Sequence, residues 1–200
     1  MTTALIVGHP DLRGSRINAA LVEEAASIEN IDIRVLSDFY AETNIDIQAE
    51  QNALEKADHI VLQYPTFWYS TPAILKHWLD GVLARGWAYG TGTPGALAGK
   101  TLRIVTSTGG ASDGYGPRGL HGWEYEAILV PLKATARRLG MRWLEPLVIH
   151  GVREVDEFGL LQLRRQFRDL ITESLADPVP LENTDPVPPE SPVRQESVLR

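Results

Sequence analysis

Five short apolar runs, each separated from the next by a longer segment with helical periodicity, constrain this chain more than any other feature. They lie at about Ala4–Gly8, Ile31–Leu36, His59–Tyr64, Leu102–Ser107 and Arg142–Ile149. Most are nearly continuous apolar stretches and not alternating ones, as strands buried on both faces require. Strands that alternate with helices predict an α/β fold: a doubly wound, five-stranded parallel sheet with helices on both faces. The helical segments are Ser15–Ile28, Gln48–Lys56, Ala73–Leu83, Glu124–Leu139 and Asp156–Leu175. In the first, Ile17, Ala20, Leu21, Ala25 and Ile28 form the apolar stripe, and Ser15 is placed to cap it. Pro72 suits the start of the third, where a missing N–H costs nothing. There is no internal repeat.

Residues 1–175 make one domain; at 200 residues and 44% hydrophobic composition the chain can bury a full core without staples. Residues 176–200 differ: Pro178, Pro180, Pro186, Pro188, Pro189 and Pro192 are six of the thirteen prolines, interleaved with acidic and small polar residues. Such a tail forms no packed helix or strand of its own. It reads as a disordered extension, or as an arm laid along a partner subunit.

The composition excludes several function classes. With no cysteine, disulfides, cysteine-ligated metals and thiol chemistry are ruled out. A formal charge of −7 without a Lys/Arg run argues against nucleic acid as a partner. Met1–Val7 lacks a basic region and a long apolar run, so it reads as a first strand and not as a signal peptide. No apolar segment reaches membrane-spanning length, and a cytoplasmic protein without membrane insertion is expected. No His/Asp/Glu cluster has convincing metal spacing, so no metal site is expected. His59 and His150 read as satisfied surface residues, and Lys76 with Asp80 as an i, i+4 pair on a helix.

In an open parallel sheet the ligand sits beyond the carboxyl ends of the strands, at the point where strand order reverses. Three loops therefore carry the candidate site. The first, Gly8 to Asn18, lacks both G-x-G-x-x-G and a G-K-[ST] phosphate loop. It offers His9, Ser15 and Asn18 instead, beside a helix N-terminus whose free N–H groups favour a phosphate. The second, Tyr64 to Pro72, holds Phe67, Trp68 and Tyr69 in succession, which cannot all point into one core and so offer a stacking surface. The third carries Thr108-Gly109-Gly110, then Tyr115 and His121. Adjacent glycines let the backbone approach a planar ligand, and a phenol and an imidazole can hydrogen-bond a heteroaromatic ring and buffer charge that develops on it. Gly86-Trp87-Ala88-Tyr89-Gly90 adds aromatic residues in a segment too punctuated for a helix.

Taken together, these motifs resemble the flavodoxin-like NAD(P)H:quinone oxidoreductase family. That family includes the mammalian two-electron quinone reductases and the bacterial flavoproteins ancillary to glutathione-gated potassium efflux. The resemblance covers about residues 3–170. It rests on His9-Pro10 with Ser15 and Asn18, on Pro65-Thr66-Phe67-Trp68-Tyr69, on Pro72-Ala73-Ile74-Leu75-Lys76-x-Trp78-x-Asp80, on Gly86 to Gly90, and on Thr108-Gly109-Gly110 with Tyr115 and His121. It implies sheet order 2-1-3-4-5 and a flavin, FMN in preference to FAD, with NAD(P)H as co-substrate. The implied cofactor-binding residues are His9, Ser15, Arg16, Ile17 and Asn18 at the phosphate, and Pro65, Thr66, Phe67, Trp68, Tyr69, Ser107, Thr108, Gly109 and Gly110 at the ring. Tyr115 and His121 match the pair that stabilises the reduced ring. The family is homodimeric, and Trp87 and Tyr89 match aromatics that one subunit offers to its partner's cleft. A quinone-like small molecule is the implied acceptor, and a potassium-efflux channel a possible partner. Phe67 stands where many relatives carry Gln, and Ser107 where many carry Thr. A regulatory ancillary subunit and a one-electron carrier stay open as other functions.

Overall fold

The computed structural model describes residues 1–40, 44–90 and 94–176, with the side chains of 174–176 set aside. The expectation for the Pro-rich tail falls on residues 177–200 and lies outside the described residues. The elements run β1 (Thr3–Val7), α1 (Arg16–Ala25), β2 (Ile31–Val35), α2 (Leu36–Tyr40), α3 (Ile47–Lys56), β3 (His59–Pro65), α4 (Ala73–Val82), β4 (Thr101–Ser107), α5 (Tyr125–Arg138), β5 (Arg142–Trp143), β6 (Leu147–Ile149) and α6 (Glu157–Ala176). Every strand pairing is parallel, and the order is β2-β1-β3-β4-β5, with β6 also on β4. The expected doubly wound sheet is therefore present in the expected order.

The fifth strand position is filled by two pieces and not by the single run Arg142–Ile149. β5 pairs with Thr101 and Leu102, and β6 with Val105 to Ser107. Between them lies Pro146, which has no N–H to give the ladder. Leu144 still donates to the Leu102 carbonyl at 2.9 Å. The short helix α2, directly after β2, was not anticipated from periodicity.

The alternation of side chains along each buried strand divides the core into two layers. Ala4, Ile6, Ile60, Leu62, Tyr64, Leu102 and Ile104 pack on Leu54 of α3, on Leu75, Trp78 and Val82 of α4, and on Leu129, Leu132 and Ala136 of α5. Leu5, Val7, Val61, Val105, Leu147 and Ile149 face Ile17, Leu21 and Ala25 of α1 and Phe167 and Ile171 of α6. Trp78 and Phe167 are fully buried, each contributing about 1.5–3 kcal/mol relative to exposure. Charged groups tie the outer layers. Glu24 of α1 accepts from Arg164 Nε at 2.9 Å and from Arg168 of α6 at 2.5 Å. Glu50 of α3, wholly buried, accepts from Arg34 of β2, from the Tyr40 phenol at 2.6 Å and from the Trp78 indole at 2.8 Å. Burial pushes the Glu50 carboxyl upward, but these three partners together hold it below its ordinary value.

Because each helix runs back antiparallel to the strand before it, the carboxyl ends of the strands and the amino ends of α1, α4, α5 and α6 share one edge of the sheet. The chain turns left after β1 and right after β3, so the loops that follow those two strands diverge and leave a crevice there.

Candidate functional site

Three loops meet in that crevice through polar side chains at the strand ends. Asn18, buried in α1, donates to Ser107 Oγ at 3.0 Å and to Ser15 Oγ at 3.2 Å, which joins the ends of β1 and β4. Gln63 of β3 donates to the Asn18 carbonyl at 2.9 Å, and the Thr66 N–H donates to the Ser107 carbonyl at 2.8 Å. The Thr66 hydroxyl lies 2.9 Å from that of Thr106 and makes a short hydrogen bond with the Tyr125 phenol. Burial pushes the Tyr125 phenol above its ordinary pKa, so it stays protonated and available as a donor.

Ser15 stands at the N-cap position of α1 with extended backbone, φ −102° and ψ 104°, yet its hydroxyl makes no capping bond. The expected side-chain cap is therefore absent, and the first-turn N–H groups lack that partner. An N-terminus of this kind attracts an anion. His9 lies beside it, its Nδ1 accepting from the Asp11 N–H at 3.0 Å. Burial lowers the His9 pKa, partly countered by Asp11, so the ring is neutral and carries its proton on Nε2.

Two residues assigned to this loop do not serve it with their side chains. Arg16 is turned to the surface, where it pairs with Glu157 at 2.8 Å and donates to the Val155 carbonyl, so it clamps α1 to the start of α6. Ile17 is 4% exposed and belongs to the core with Leu21. Only its backbone N–H remains for a ligand.

After β3, Phe67 and Ser70 exchange two backbone hydrogen bonds of 3.0 Å, closing a two-residue hairpin. Its central residues, Trp68 and Tyr69, have φ +49° and +61°. Glycine or asparagine normally fills such positions, and aromatic residues there hold strain of order 1–3 kcal/mol each. Trp68 is 93% exposed, while Phe67 and Tyr69 are half open. The aromatic loop thus faces outward and is not a plug between layers. Pro65 ends β3 and sets the hairpin's departure.

After β4, Thr108 is buried, and its hydroxyl donates to the Gly110 carbonyl at 2.7 Å, so its part is to shape the loop. A Cβ at Gly110 would come within 2.8 Å of His121 Nε2, whereas one at Gly109 would meet nothing within 4 Å. The chain itself supplies no steric reason for glycine at 109, which suits a position that a ligand approaches closely. The rings of Tyr115 and His121 lie together, centroids 4.3 Å apart. Tyr69 reaches across from the hairpin, its phenol 3.2 Å from His121 Nδ1.

His150, read from sequence as a surface residue, stands inside this cluster. Its ring lies 5.0 Å from that of Tyr115 and 5.2 Å from that of Tyr125, and its Nδ1 is 3.1 Å from the Thr108 hydroxyl. A histidine directly after an apolar strand that ends at the ligand-bearing edge was the available signal. His59 is also no surface residue: it is 4% exposed at the opposite edge, with Nδ1 2.7 Å from the Thr101 hydroxyl.

Trp87 and Tyr89 are not brought to this cluster. They follow the carboxyl end of α4, at the amino edge of the sheet, where the Trp87 indole donates to Glu55 at 2.6 Å and Arg138 lies over the Tyr89 ring at 5.2 Å. Among the described residues no group of acidic or histidine side chains is arranged to hold a metal, and no helix is long and apolar enough to cross a membrane.

A sheet of this order with its aromatic and polar side chains gathered at the carboxyl edge defines a flavodoxin-like protein, and residues 1–171 match the family described by that fold. The chain belongs to the flavodoxin-like quinone reductase family. It is 40% identical over 164 residues to the glutathione-regulated potassium-efflux system ancillary protein KefF of Salmonella typhimurium, covering 82% of this chain and 92% of that one. Among solved structures it superposes on an NADPH-quinone reductase from P. pentosaceus with a TM-score of 0.76 and 27% identity, over 85% of this chain and 97% of the other. It also superposes on general stress protein 14 of Treponema denticola, solved in complex with FMN, with a TM-score of 0.78 and 29% identity, over 88% and 99%.

Proposed function

We propose that this protein is a cytoplasmic, flavin-dependent NAD(P)H oxidoreductase that passes two electrons as hydride to a quinone-like small acceptor, the two substrates using one cleft in turn. The observation that carries this reading is the pairing of Tyr115 and His121 at 4.3 Å beside the open Gly109 position. FMN fits the residues present: the free amides at the start of α1, with Ser15, Asn18 and the Nε2–H of His9, would hold its phosphate. Thr66 to Tyr69 and Ser107 to Gly110 would flank its ring. The likeness to a protein solved with FMN favours FMN over FAD.

When bound, the flavin supplies the hydride chemistry, and the protein supplies position and electrostatics. Tyr115 and His121 hold protons at the phenol oxygen and at an imidazole nitrogen, where they donate to negative charge as it builds nearby. If the Tyr69 phenol donates to Nδ1, the His121 proton sits on Nε2, the nitrogen nearest Gly110. Tyr69, whose phenol reaches His121, covers one side of the cleft and reduces its access to water. Trp87 and Tyr89, half-buried against the core at the far edge, complete the cleft of a partner subunit in a homodimer.

The deciding experiment is the visible spectrum of the purified protein before and after anaerobic addition of NADH or NADPH, with identification of the flavin released on denaturation. Bleaching in one two-electron step is expected. A protein that neither holds nor takes up FMN or FAD would overturn the enzymatic reading. The 40% identity to KefF favours a second role, as a regulatory ancillary subunit on a potassium-efflux channel. Co-purification with such a channel tests it.

A further inference from the structure

The aim of the Tyr115 phenol is not set by its own backbone. Tyr115 follows a short 3-10 turn, Ser112–Gly114, and precedes Gly116 at φ +105°, so the loop around it has no regular ladder to hold a side chain in place. Three rings touch that of Tyr115: His121 at 4.3 Å, His150 at 5.0 Å and Tyr125 at 5.1 Å. His121 rides on the same loop. Of these three rings, His150, at the end of β6, and Tyr125, at the start of α5, tie Tyr115 to the sheet and its helices.

The hydrogen bonds of the Thr108 hydroxyl fix the tautomer of the His150 ring. The Thr108 hydroxyl has one hydrogen, and it goes to the Gly110 carbonyl, which can only accept. Towards His150 Nδ1, 3.1 Å away, that hydroxyl can therefore only accept, so Nδ1 carries the proton. Burial disfavours the imidazolium, with Glu126 opposing it, so the ring is neutral with a bare Nε2. The Gly110 carbonyl also receives the Gly151 N–H at 2.9 Å, and the Thr108 N–H reaches the Ile149 carbonyl at 2.8 Å. His150 and its neighbours thus clasp the Gly109–Gly110 loop to the end of β6 on one side and back the Tyr115 ring on the other.

We infer that His150 is a positioning residue: as the neutral Nδ1–H form it locks the Thr108–Gly110 loop through Thr108 and holds the Tyr115 phenol at its working angle. The inference rests on the oxidoreductase reading for its consequence in turnover, but not for its geometry. The first test needs no flavin. Nitrogen-15 NMR of the flavin-free protein near neutral pH should show His150 with a protonated Nδ1 and a bare Nε2, and the Tyr115 ring resonances should move towards free-tyrosine values in His150→Leu or His150→Asn. The opposite tautomer, or unmoved Tyr115 resonances in whichever variant folds, overturns the proposal.

The second test is a double-mutant cycle read by anaerobic stopped-flow bleaching of the flavin. His150→Leu is expected to slow reduction on the order of tenfold while Tyr115 is present, and by less than about twofold once Tyr115 is Phe, because a misaimed ring without its hydroxyl has nothing left to lose. An equal loss in both backgrounds would mean that His150 is only structural. If the unmutated protein is not bleached by NAD(P)H, the oxidoreductase reading fails, and the NMR result still decides the placement of His150.

Discussion

At the scale of single residues, the proposed site rests on the Tyr115 phenol and the His121 imidazole, 4.3 Å apart between ring centroids. Tyr115→Phe removes the phenol donor and His121→Gln replaces a titratable imidazole with an amide that can donate a hydrogen bond but not a proton, and each should slow flavin reduction by about 10²-fold, at the lower end for placed acid-base groups, while the flavin stays bound. Anaerobic stopped-flow absorbance checks this, and unchanged rates in both variants would refute the assignment. His59 makes a different prediction, for stability. Burial pushes its imidazole below the ordinary value of 6.5, outweighing the attraction of Asp58. Below that value the unfolded chain takes up a proton that the folded chain refuses, so this contribution is present above about pH 6.5 and is lost as pH falls towards the folded value. Urea midpoints at about pH 7.5 and about pH 5.5 should therefore differ less in His59→Gln than in the unmutated protein. His59 and His150 also mark the limit of reading residues singly. Both look like ordinary strand-end histidines in the sequence, and only the packing of Thr101 on one and of Thr108, Tyr115 and Tyr125 on the other separates a buried spacer from a member of the site.

At the scale of elements, two features concentrate energy. The first is Glu50, where α2, α3, α4 and β2 meet at one fully buried carboxylate. Replacing it by Gln leaves the Arg34 guanidinium, 14% exposed, without its buried counter-charge, and should cost about 3–5 kcal/mol in a denaturant titration. A loss under about 1 kcal/mol would mean that Asp32 and water replace Glu50 at little cost. The second is the hairpin Phe67 to Ser70. Trp68 has its side chain in solvent and its backbone in the left-handed region, so Trp68→Gly gives up little burial and relieves strain. Unfolding free energy should rise by about 1 kcal/mol, while flavin or acceptor binding weakens. A stability gain with unaltered binding would separate the strain from function. The helices were legible because their apolar stripes repeat at 3.6 residues, and β1, β3 and β4 because burial on both faces makes them apolar throughout. The break at Pro146 and the helix α2 were not, because a proline inside an apolar run and a five-residue helix both fall below the length over which periodicity can be judged.

For the whole molecule, Trp87 and Tyr89 carry the remaining prediction. They stand at the amino edge of the sheet, whereas Tyr115 and His121 stand at the carboxyl edge, so a dimer is needed for them to share a cleft. Chains with Tyr115→Phe and His121→Gln, mixed and refolded with chains carrying Trp87→Ala and Tyr89→Ala, should regain turnover that neither kind has alone, since a mixed dimer contains one intact cleft. Mixed dimers seen by mass spectrometry but without recovered turnover would place the whole site in one chain. The sequence by itself determined the layer architecture, the strand-bearing segments and the three loops at the ligand edge, because strand burial, helical stripes and glycine-rich turns are local patterns. It also named Tyr115 and His121, through their place on a loop after a buried strand. Only the tertiary structure decided that Arg16 clamps α6, that the Ile17 side chain fills the core, that Ser15 leaves its helix uncapped and that His150 backs Tyr115. Each of those outcomes depends on a partner far away in sequence or on a side-chain direction, and neither quantity is encoded in the local pattern.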